Sequence, residues 1–290
     1  MYRSNKIVIG AAQFGMHYGI ANKLGRVTSD EVEKILNYAY KKGINGIDTA
    51  AAYGNSEKII GNYLKKYDDQ KWLITTKVSG SIDKLYNQFC KSIDSLSLKP
   101  NAILAHSATE YLEPAFWNEL KKIKDKFEIE NLGVSLYTKE TINSLLVNNI
   151  PRIIQCPLNL IDTKLFRSGF LDKLKEKNIK VHIRSVFLQG MFYLSDKVIE
   201  NKFKDALPVI KELRSIAKKE ELTLAELSLL WVMSLDQVDK VIIGVDNIDQ
   251  LIAHINTLNK NINPAVFEKA LSINYENEEI LNPSLWETQS

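Results

Sequence analysis

Short apolar runs alternate with longer amphipathic stretches along almost the whole chain. The apolar runs hold four to eight residues and are rich in Ile and Val, which is typical of buried parallel strands. The longer stretches place apolar residues three and four positions apart, which is typical of helices. The pattern predicts eight strands, at residues 6–12, 45–48, 71–78, 101–106, 131–135, 152–156, 180–186 and 240–245.

Each predicted strand is followed by helical sequence. The predicted helices lie at residues 29–43, 55–67, 81–96, 113–127, 139–148, 163–178, 203–236 (more than one helix) and 247–258. In the first of them, Ser29 is the expected N-cap and Gly43 lies just beyond the end. Strand and helix units in regular alternation predict a parallel sheet, and its closure into a (β/α)8 barrel is the simplest arrangement at this length.

The chain contains no stretch with the composition of a linker, so a single domain over residues 1–290 is predicted. Residues 259–290 form a C-terminal tail with one predicted helix, at 264–272, and then an irregular stretch that contains Pro283 and Trp286. Because this stretch has neither strand nor helix periodicity, two placements stay open. The tail could fold over the barrel mouth, or it could pack on the side.

Composition excludes several classes of function. The 38 basic and 35 acidic residues are spread throughout and leave a net charge of +3, which is too small and diffuse for a nucleic-acid-binding surface. Near the N-terminus the longest apolar stretch is too short for a signal peptide or a membrane span, so a cytoplasmic protein is expected. Cys90 and Cys156 lie far apart without metal-ligand spacing, and no metal site is predicted. The oligomeric state stays open.

Glycine patterns argue against two common nucleotide-binding motifs. Residues 10–19 read GAAQFGMHYG, which lacks the GxGxxG spacing and the helix of a dinucleotide-binding turn. The phosphate-binding pattern GxxxxGK[ST] does not occur in the chain. A Rossmann domain and a P-loop are therefore not supported.

Four polar residues lie where a barrel enzyme would need them. Asp48, Lys77 and His106 each close an apolar run, and Tyr53 lies just past one. Taken singly, each has a structural interpretation: Asp48 as a turn or cap residue, Tyr53 as a packed ring, Lys77 as a solvated charge and His106 as a core histidine. The active face of a (β/α)8 barrel lies at the C-terminal ends of its strands, so together the four residues predict a catalytic site.

The same region carries a family resemblance. The segment DTAAAYGNSE (48–57), followed by KIIG (58–61), closely resembles the aldo-keto reductase family, and the resemblance extends over nearly the whole chain through Lys77, His106, Gln155 and IIGVDNIDQL. It implies a (β/α)8 barrel, an NAD(P)H molecule bound across the C-terminal face, and reduction of a carbonyl to an alcohol. Two stretches, AQFGMHYGI and RSVFLQGMF, are similar to a bacterial branch associated with carbohydrate metabolism.

The chemistry of the four residues agrees with that implication. Carbonyl reduction needs a hydride on carbon and a proton on oxygen, and a phenol can give the proton if its pKa of about 10 is lowered. Tyr53 is the expected acid. A lysine ammonium such as Lys77 favours the phenolate, a carboxylate such as Asp48 keeps the lysine charged, and a neutral His106 could orient the carbonyl oxygen.

The resemblance also implies a set of cofactor-binding residues. Ser135 and Gln155 match the positions that hold the nicotinamide carboxamide, although the Asn that usually follows the Ser is Leu136 here. Arg184 stands where the family commonly places an aromatic residue against the nicotinamide ring, and its guanidinium could stack on the ring, bind an anionic substrate or form a surface ion pair. Ser185 and the loop that follows, including Phe187 and Gln189, are expected to line the pyrophosphate; Ser185 could instead be a loop cap.

The choice between NADPH and NADH depends on residues 244–254. Family members that prefer NADPH usually set Arg or Lys here against the 2′-phosphate, and this stretch, which includes Gly244, Asp246 and Gln250, contains neither. Asp246 could accept a hydrogen bond from a ribose hydroxyl, as acidic residues do in NAD sites, but a cap of the last helix is the favoured interpretation, because Asn247 or Asp246 lies at the start of that helix. NADP(H) is therefore favoured on family grounds alone, with NAD(H) as the alternative.

The predicted function is reduction of a small aldehyde or ketone, with a sugar or sugar derivative as one possibility. The alternative is a cofactor-binding regulatory subunit of the same fold, such as the one that serves potassium channels. A barrel isomerase or lyase acting on phosphosugars is disfavoured, because the end of the last strand offers only one glycine for a phosphate site. Residues available for a pocket wall are Phe14, His17, Tyr18, Trp117, Phe187 and Trp286.

Overall fold

The Ile- and Val-rich runs form strands because β-branched side chains pack well on a sheet that is buried on both faces. The computed structural model describes residues 4–136, 142–147 and 149–286. Neighbouring strands are parallel, and the first also pairs with the last, which closes the sheet. The strands are β1 (Ile7–Gly10), β2 (Gly46–Asp48), β3 (Leu73–Val78), β4 (Ala102–Ala105), β5 (Asn131–Ser135), β6 (Ile153–Pro157), β7 (Lys180–Arg184) and β8 (Lys240–Gly244). The predicted (β/α)8 barrel is confirmed.

Amphipathic stretches form the helices between and after the strands. The α-helices are α1 (Ala12–Gly15), α2 (Ser29–Lys41), α3 (Ser56–Lys66), α4 (Ile82–Leu96), α5 (Ala108–Leu112), α6 (Pro114–Phe127), α7 (Ile142–Leu145), α8 (Lys164–Arg167), α9 (Phe170–Glu176), α10 (Asp196–Lys202), α11 (Leu207–Lys219), α12 (Leu224–Ser234), α13 (Ile248–Thr257), α14 (Pro264–Leu271) and α15 (Glu278–Leu281). Short 3-10 turns lie at Ser4–Lys6, Leu188–Tyr193, Lys204–Ala206 and Pro283–Leu285. Within the described ranges, no helix is long and apolar enough to cross a membrane.

Several helix boundaries differ from those predicted. Thr28 is the N-cap of α2, because its hydroxyl accepts a hydrogen bond from the backbone N–H of Glu31 at 3.4 Å, so the prediction of Ser29 is wrong. The predicted helix at 163–178 is divided into α8 and α9 by Gly169, whose φ of +67° is in the left-handed region. Helix α5 was not predicted. The predicted helix at 139–148 lies partly outside the described residues, which hold α7.

Two residues of the 48–61 segment fix α3 against its neighbours. The Glu57 carboxylate is buried and accepts a hydrogen bond from the hydroxyl of Thr76, on β3, at 2.6 Å. Gly61 allows α3 to approach the end of α4, since a Cβ at this position would lie 2.0 Å from the carbonyl oxygen of Ser95. These contacts hold β3, and therefore Lys77 next to Thr76, in a set position relative to α3.

The loop after β7 has an unusual backbone. Ser185, Leu188 and Gln189 have φ values of 60°, 45° and 50°, in the left-handed region that non-glycine residues rarely adopt. The carbonyl oxygen of Gln189 accepts a hydrogen bond from the backbone N–H of Ile20 at 3.0 Å, which ties this loop to the one between α1 and α2. Such strain persists where surrounding structure enforces it and is frequent at functional sites.

The described part of the C-terminal tail packs against the segments that follow β6 and β7. The indole ring of Trp286 lies 4.8 Å from the ring of Phe203, and its N–H donates to the carbonyl oxygen of Ile280 at 3.0 Å. Glu278, in α15, pairs with Lys164 of α8.

Candidate active site

A cavity of about 350 Å³ lies at the C-terminal ends of the barrel strands. It is walled by the ends of β1, β2, β6, β7 and β8 and by the loops that follow them. Ten of the residues predicted from the sequence line it: Asp48, Tyr53, Gln155, Arg184, Ser185, Phe187, Gln189, Gly244, Asp246 and Gln250. The structure therefore brings most of the predicted site together. Lys77, His106 and Ser135 are not among the described residues that line the cavity.

Lys77 and Asp48 form a buried ion pair beneath the cavity. The side chain of Lys77 is 1% exposed and that of Asp48 is 5% exposed. The Lys77 ammonium donates to Oδ1 of Asp48 and, at 2.9 Å, to the carbonyl oxygen of Thr49. Burial lowers the pKa of Lys77, while the Asp48 carboxylate opposes that effect by favouring the charged form.

Gln155 completes the hydrogen bonding of Asp48 from the far side of the barrel. Its amide nitrogen donates to Oδ2 of Asp48 at 2.7 Å, so each carboxylate oxygen has a strong donor. Gln155 lies on β6 and Asp48 on β2, and the two strands are not neighbours in the sheet. The contact therefore runs across the interior of the barrel and links its two halves.

Tyr53 lies over this buried pair. The Nζ atom of Lys77 is 5.1 Å from the centroid of the Tyr53 ring, and the His106 ring centroid is 5.7 Å away with the planes at 76°. The backbone at Tyr53 is set by close packing, since a Cβ on Gly15 would lie only 1.7 Å from the Tyr53 carbonyl oxygen. The geometry thus groups the four residues that the sequence singled out.

His106 is neutral at physiological pH. Burial, followed by the positive charges of Lys77 and Arg184, lowers the pKa of this imidazole to about 4. A neutral imidazole carries one N–H donor and one acceptor nitrogen, and the donor can hydrogen-bond a carbonyl oxygen. This state fits the orienting role expected from the sequence.

Ser135 and Arg184 occupy neighbouring parts of the barrel end. Ser135 is buried on β5 and pairs in register with Gln155 of β6. The Arg184 guanidinium lines the cavity and donates to the hydroxyl of Ser185 and to the carbonyl oxygen of Leu136, each at 3.1 Å. These two bonds hold the guanidinium plane at the end of β7.

The loop after β7 contributes an aromatic wall. The Phe187 ring stacks on the ring of His254, with centroids 4.8 Å apart and planes at 17°, and lies 5.6 Å from the ring of Tyr193. Burial lowers the pKa of His254 to about 4, so this imidazole is also neutral near pH 7. His254 was missed by the sequence analysis. It follows Gln250 by four positions on α13, and helical spacing could have identified it.

Among the residues available for a pocket wall, only some line the cavity. Tyr18 and Phe187 do, whereas Phe14 is fully buried in the core. Trp117 packs on Tyr111, with ring centroids 5.1 Å apart. A ring nitrogen of the exposed His17 lies 3.2 Å from the carbonyl oxygen of Asn22. Trp286, as described above, lies in the tail. Further lining residues that the sequence analysis missed are Gln13, Asn22 and Tyr193.

The start of α13 corrects the interpretation of Asp246. Asn247 is the N-cap, because its side-chain oxygen accepts from the backbone N–H of Gln250 at 3.0 Å. The favoured interpretation of Asp246 as the cap is therefore wrong. The backbone N–H of Asp246 instead donates to Oε1 of Gln250 at 2.8 Å, and Asp246 lines the cavity.

The site geometry coincides with a family match over most of the chain. Residues 6–274 match the model of the aldo/keto reductase family. The chain belongs to this family. Members are NAD(P)-dependent oxidoreductases that act on carbonyl compounds and the corresponding alcohols. The resemblance seen in the sequence is confirmed.

Two proteins named as oxidoreductases are similar to this chain in sequence. The NADH-specific methylglyoxal reductase of Escherichia coli K12 is 22% identical over 269 residues, covering 78% of this chain and 82% of that protein. D-arabinose 1-dehydrogenase of Saccharomyces cerevisiae is 26% identical over 282 residues, covering 84% of this chain and 80% of that protein. The similarity extends over most of each chain.

Two solved structures share the fold. The holo form of an aldo-keto reductase from Bacillus halodurans superposes with a TM-score of 0.75 at 19% identity, covering 94% of each chain. A glycerol dehydrogenase from Gluconobacter oxydans superposes with a TM-score of 0.70 at 20% identity, covering 92% of this chain and 90% of that one. At 19–20% sequence identity, these superpositions show that this aldo-keto reductase shares its fold with the two proteins.

Within the described residues, no cluster of three or more His, Cys, Asp or Glu side chains is arranged to hold a metal ion. The cavity does offer groups suited to a nicotinamide nucleotide. Donors and acceptors lie at the end near Asp48 and Gln155, the strained loop after β7 follows, and the carboxylate of Asp246 has a buried oxygen without a hydrogen-bond partner. This donor set fits the polar groups of such a cofactor in this aldo-keto reductase.

Proposed function

We propose that this aldo-keto reductase reduces a small aldehyde or ketone to the alcohol, with Tyr53 as the proton donor. One observation carries the proposal: Lys77 Nζ and the His106 ring lie 5.1 Å and 5.7 Å from the centroid of the Tyr53 ring, at the wall of the cavity. A phenol flanked by an ammonium group and a neutral imidazole is equipped to donate a proton to a carbonyl oxygen.

A bound nicotinamide cofactor would supply the hydride to the carbonyl carbon. Ser135, Gln155 and Arg184 would hold its nicotinamide end. Ser185 and the loop through Phe187 and Gln189 would line the pyrophosphate. Gly244, Asp246 and Gln250 would contact the adenosine. The family resemblance favours NADP(H), whereas the Escherichia coli relative is NADH-specific by name.

Proton transfer is the task of the four residues beneath and beside the cavity. Tyr53 gives the phenol proton to the carbonyl oxygen and becomes a phenolate, which the Lys77 ammonium stabilises through its charge. Asp48 keeps that ammonium ionised in a buried position, at the cost of being buried itself. His106, neutral because its pKa is about 4, donates its N–H to the same oxygen and fixes its direction.

For the substrate, we favour small oxygenated carbonyl compounds, including sugars. One relative is by name a dehydrogenase of D-arabinose, and another a reductase of methylglyoxal. Arg184 adds a permanent positive charge to the cavity wall, which would suit a substrate that carries a carboxylate or a phosphate. A regulatory subunit that binds the cofactor without turnover is the alternative function.

The experiment compares Tyr53→Phe with the wild type. The substitution removes the hydroxyl and keeps the ring, so we expect turnover to fall by about 10²–10⁴-fold with cofactor affinity little changed. Turnover is followed by absorbance of the reduced nicotinamide with a panel of aldehydes, ketones and sugars, and affinity by quenching of tryptophan fluorescence. Tyr38→Phe, the same change at a half-buried residue of α2, is the matched control.

Two results would contradict the proposal. Turnover by Tyr53→Phe equal to that of the control would remove Tyr53 as the acid. Cofactor binding by the wild type without turnover of any carbonyl compound would favour the regulatory function instead.

A further inference from the structure

At the adenosine end of the cavity, one oxygen of the Asp246 carboxylate has no hydrogen-bond donor among the described residues. Its Oδ1 atom is buried and has no partner among the described residues. In the described part of the chain, its Oδ2 atom is reached only by the amide of Gln250, at a long 3.4 Å. Buried carboxylate oxygens are normally satisfied, because leaving one unpaired is costly. An unsatisfied carboxylate oxygen in a residue that lines the cavity therefore points to a ligand that donates hydrogen bonds.

The beginning of α13, next to Asp246, is already occupied by protein groups. Helix N-termini commonly bind phosphate through their free backbone N–H groups. Here the N–H of Ile248 donates to the carboxylate of Glu31 at 2.8 Å, and that of Gln250 donates to Asn247 at 3.0 Å. The hydrogen bond from Ile248 is the main reason that the pKa of Glu31 lies below its usual value, so Glu31 stays ionised. A phosphate at the beginning of α13 would face the Glu31 carboxylate, because the N–H groups that would bind the phosphate already donate to protein groups.

The distribution of basic residues leads to the same conclusion. Among the described residues that line the cavity, Arg184 is the only lysine or arginine, and it lies at the end of β7, on the side of Asp48 and Tyr53. Lys34 is near α13 but pairs with Glu31 at 3.1 Å. The described lining of the cavity therefore places no basic side chain at the adenosine end.

We infer that Asp246 accepts hydrogen bonds from the ribose hydroxyls of the adenosine and that this contact makes the site select NAD(H) over NADP(H). The inference rests on the proposed function, since it concerns the same cavity. A carboxylate accepts hydrogen bonds and donates none when ionised, so it suits a free 2′-hydroxyl and repels a 2′-phosphate. It departs from the preference for NADP(H) that family resemblance alone favours.

The test measures binding of cofactor fragments and does not depend on turnover. ADP-ribose and 2′-phospho-ADP-ribose are titrated into the full chain by calorimetry. For the wild type we expect ADP-ribose to bind at least about tenfold more tightly than 2′-phospho-ADP-ribose. The phosphorylated fragment loses the hydrogen bonds that the free 2′-hydroxyl donates, and its phosphate is repelled by the carboxylate. NADH and NADPH, followed by tryptophan fluorescence, are expected to show the same order.

Variants assign the preference to Asp246. Asp246→Asn keeps the shape but removes the charge, and we expect the ratio of the two affinities to fall by about fivefold or more. Asp249→Asn makes the same charge change at an exposed position of the same helix and is expected to leave the ratio within about twofold. Glu31→Gln provides a second route if Asp246→Asn folds poorly, because removing this charge is expected to improve binding of the phosphorylated fragment.

The possible results separate this inference from the proposed function. Equal affinities, or tighter binding of 2′-phospho-ADP-ribose by the wild type, would overturn the inference and leave carbonyl reduction intact. An equal loss of preference in Asp246→Asn and Asp249→Asn would show a diffuse charge effect and would also overturn it. If neither fragment nor either cofactor binds, both the inference and the proposed function fail.

Discussion

Removal of Lys77 is expected to separate stability from catalysis at this site. Lys77→Met replaces the buried ammonium with an apolar side chain of similar length. The Asp48 carboxylate then keeps the amide of Gln155, at 2.7 Å, as a strong donor. Since Asp48 is 5% exposed, water cannot replace the missing ammonium without rearrangement. The variant therefore holds an uncompensated buried charge.

The magnitude follows from that loss. Breaking a buried ion pair by removing one partner costs about 3–5 kcal/mol in the free energy of unfolding. For domains of about 150–250 residues, 1 kcal/mol corresponds to about 2–4 °C in the melting temperature. We therefore expect Lys77→Met to melt about 6–20 °C below the wild type. Turnover should also fall, because the charge that stabilises the Tyr53 phenolate is gone.

The assay is a double-mutant cycle with Asp48→Asn, measured by urea denaturation and by absorbance of the reduced nicotinamide. The double variant contains no unpaired buried charge, so its loss of stability should be smaller than the sum for the single variants by about 1–3 kcal/mol. Turnover should stay low in all three variants. A double variant that regains stability but keeps a low turnover would show that the ion pair serves catalysis as well as stability.

Two outcomes would refute this reasoning. Additive stability losses would mean that the two charges do not interact across the short contact seen in the structure. Wild-type turnover with an unchanged pH profile in Lys77→Met would show that its ammonium has no effect on the phenol.

Two further predictions concern Arg184 and the buried histidines. If Arg184 contacts the cofactor, Arg184→Met should weaken cofactor binding whichever substrate is used. If Arg184 contacts the substrate, the variant should raise KM for anionic carbonyl compounds only. Unchanged kinetics would exclude both roles. Burial lowers the pKa of His182 to about 3 and those of His106 and His254 to about 4. In the unfolded chain a histidine has a pKa of about 6.5. Below that pH these three histidines therefore bind more protons in the unfolded chain than in the folded one. The free energy of unfolding that these histidines contribute should therefore fall as the pH drops from about 6.5 towards 4, by up to about 1.4 kcal/mol for each proton and each pH unit. Asp162 has the opposite effect, because its pKa is raised to about 6 and the folded chain therefore binds its proton more readily than the unfolded chain. Urea denaturation at several pH values should show a shallower slope for His182→Gln, and an identical slope would contradict the assignment.

The barrel was predictable because its determinants are local. Each strand is a short apolar run, and the alternation with amphipathic helices allows few parallel topologies. The ends of the helices were harder to predict from the sequence. Thr28 and Ser29 can both cap a helix, and only the extended backbone at Thr28 decides between them. Gly169 was visible in the sequence, but a glycine inside helical periodicity does not by itself break a helix.

The candidate site was predictable to the extent that it follows strand ends. Asp48, Lys77 and His106 were found because barrel strands present their last residues to one face. The role of Asp246 was not, since the choice between Asp246 and Asn247 as the cap depends on backbone geometry. The stacking of Phe187 on His254 joins a loop after β7 to α13, and local sequence carries no direct signal for such a contact.

The hydrogen bond from Gln155 to Asp48 has a consequence for how this enzyme could diversify. The residues proposed for proton transfer come from the first four strand units, whereas Asp246, proposed to distinguish the two nicotinamide cofactors, lies between β8 and α13. Because Asp246 and the proton-transfer residues do not share the partners described above, substitutions in one group should add to those in the other with little epistasis. Recombination between relatives at the boundary of the two half-barrels could exchange cofactor preference as a module, provided that position 155 keeps an amide facing the carboxylate at position 48 and that position 31 keeps the carboxylate that contacts α13.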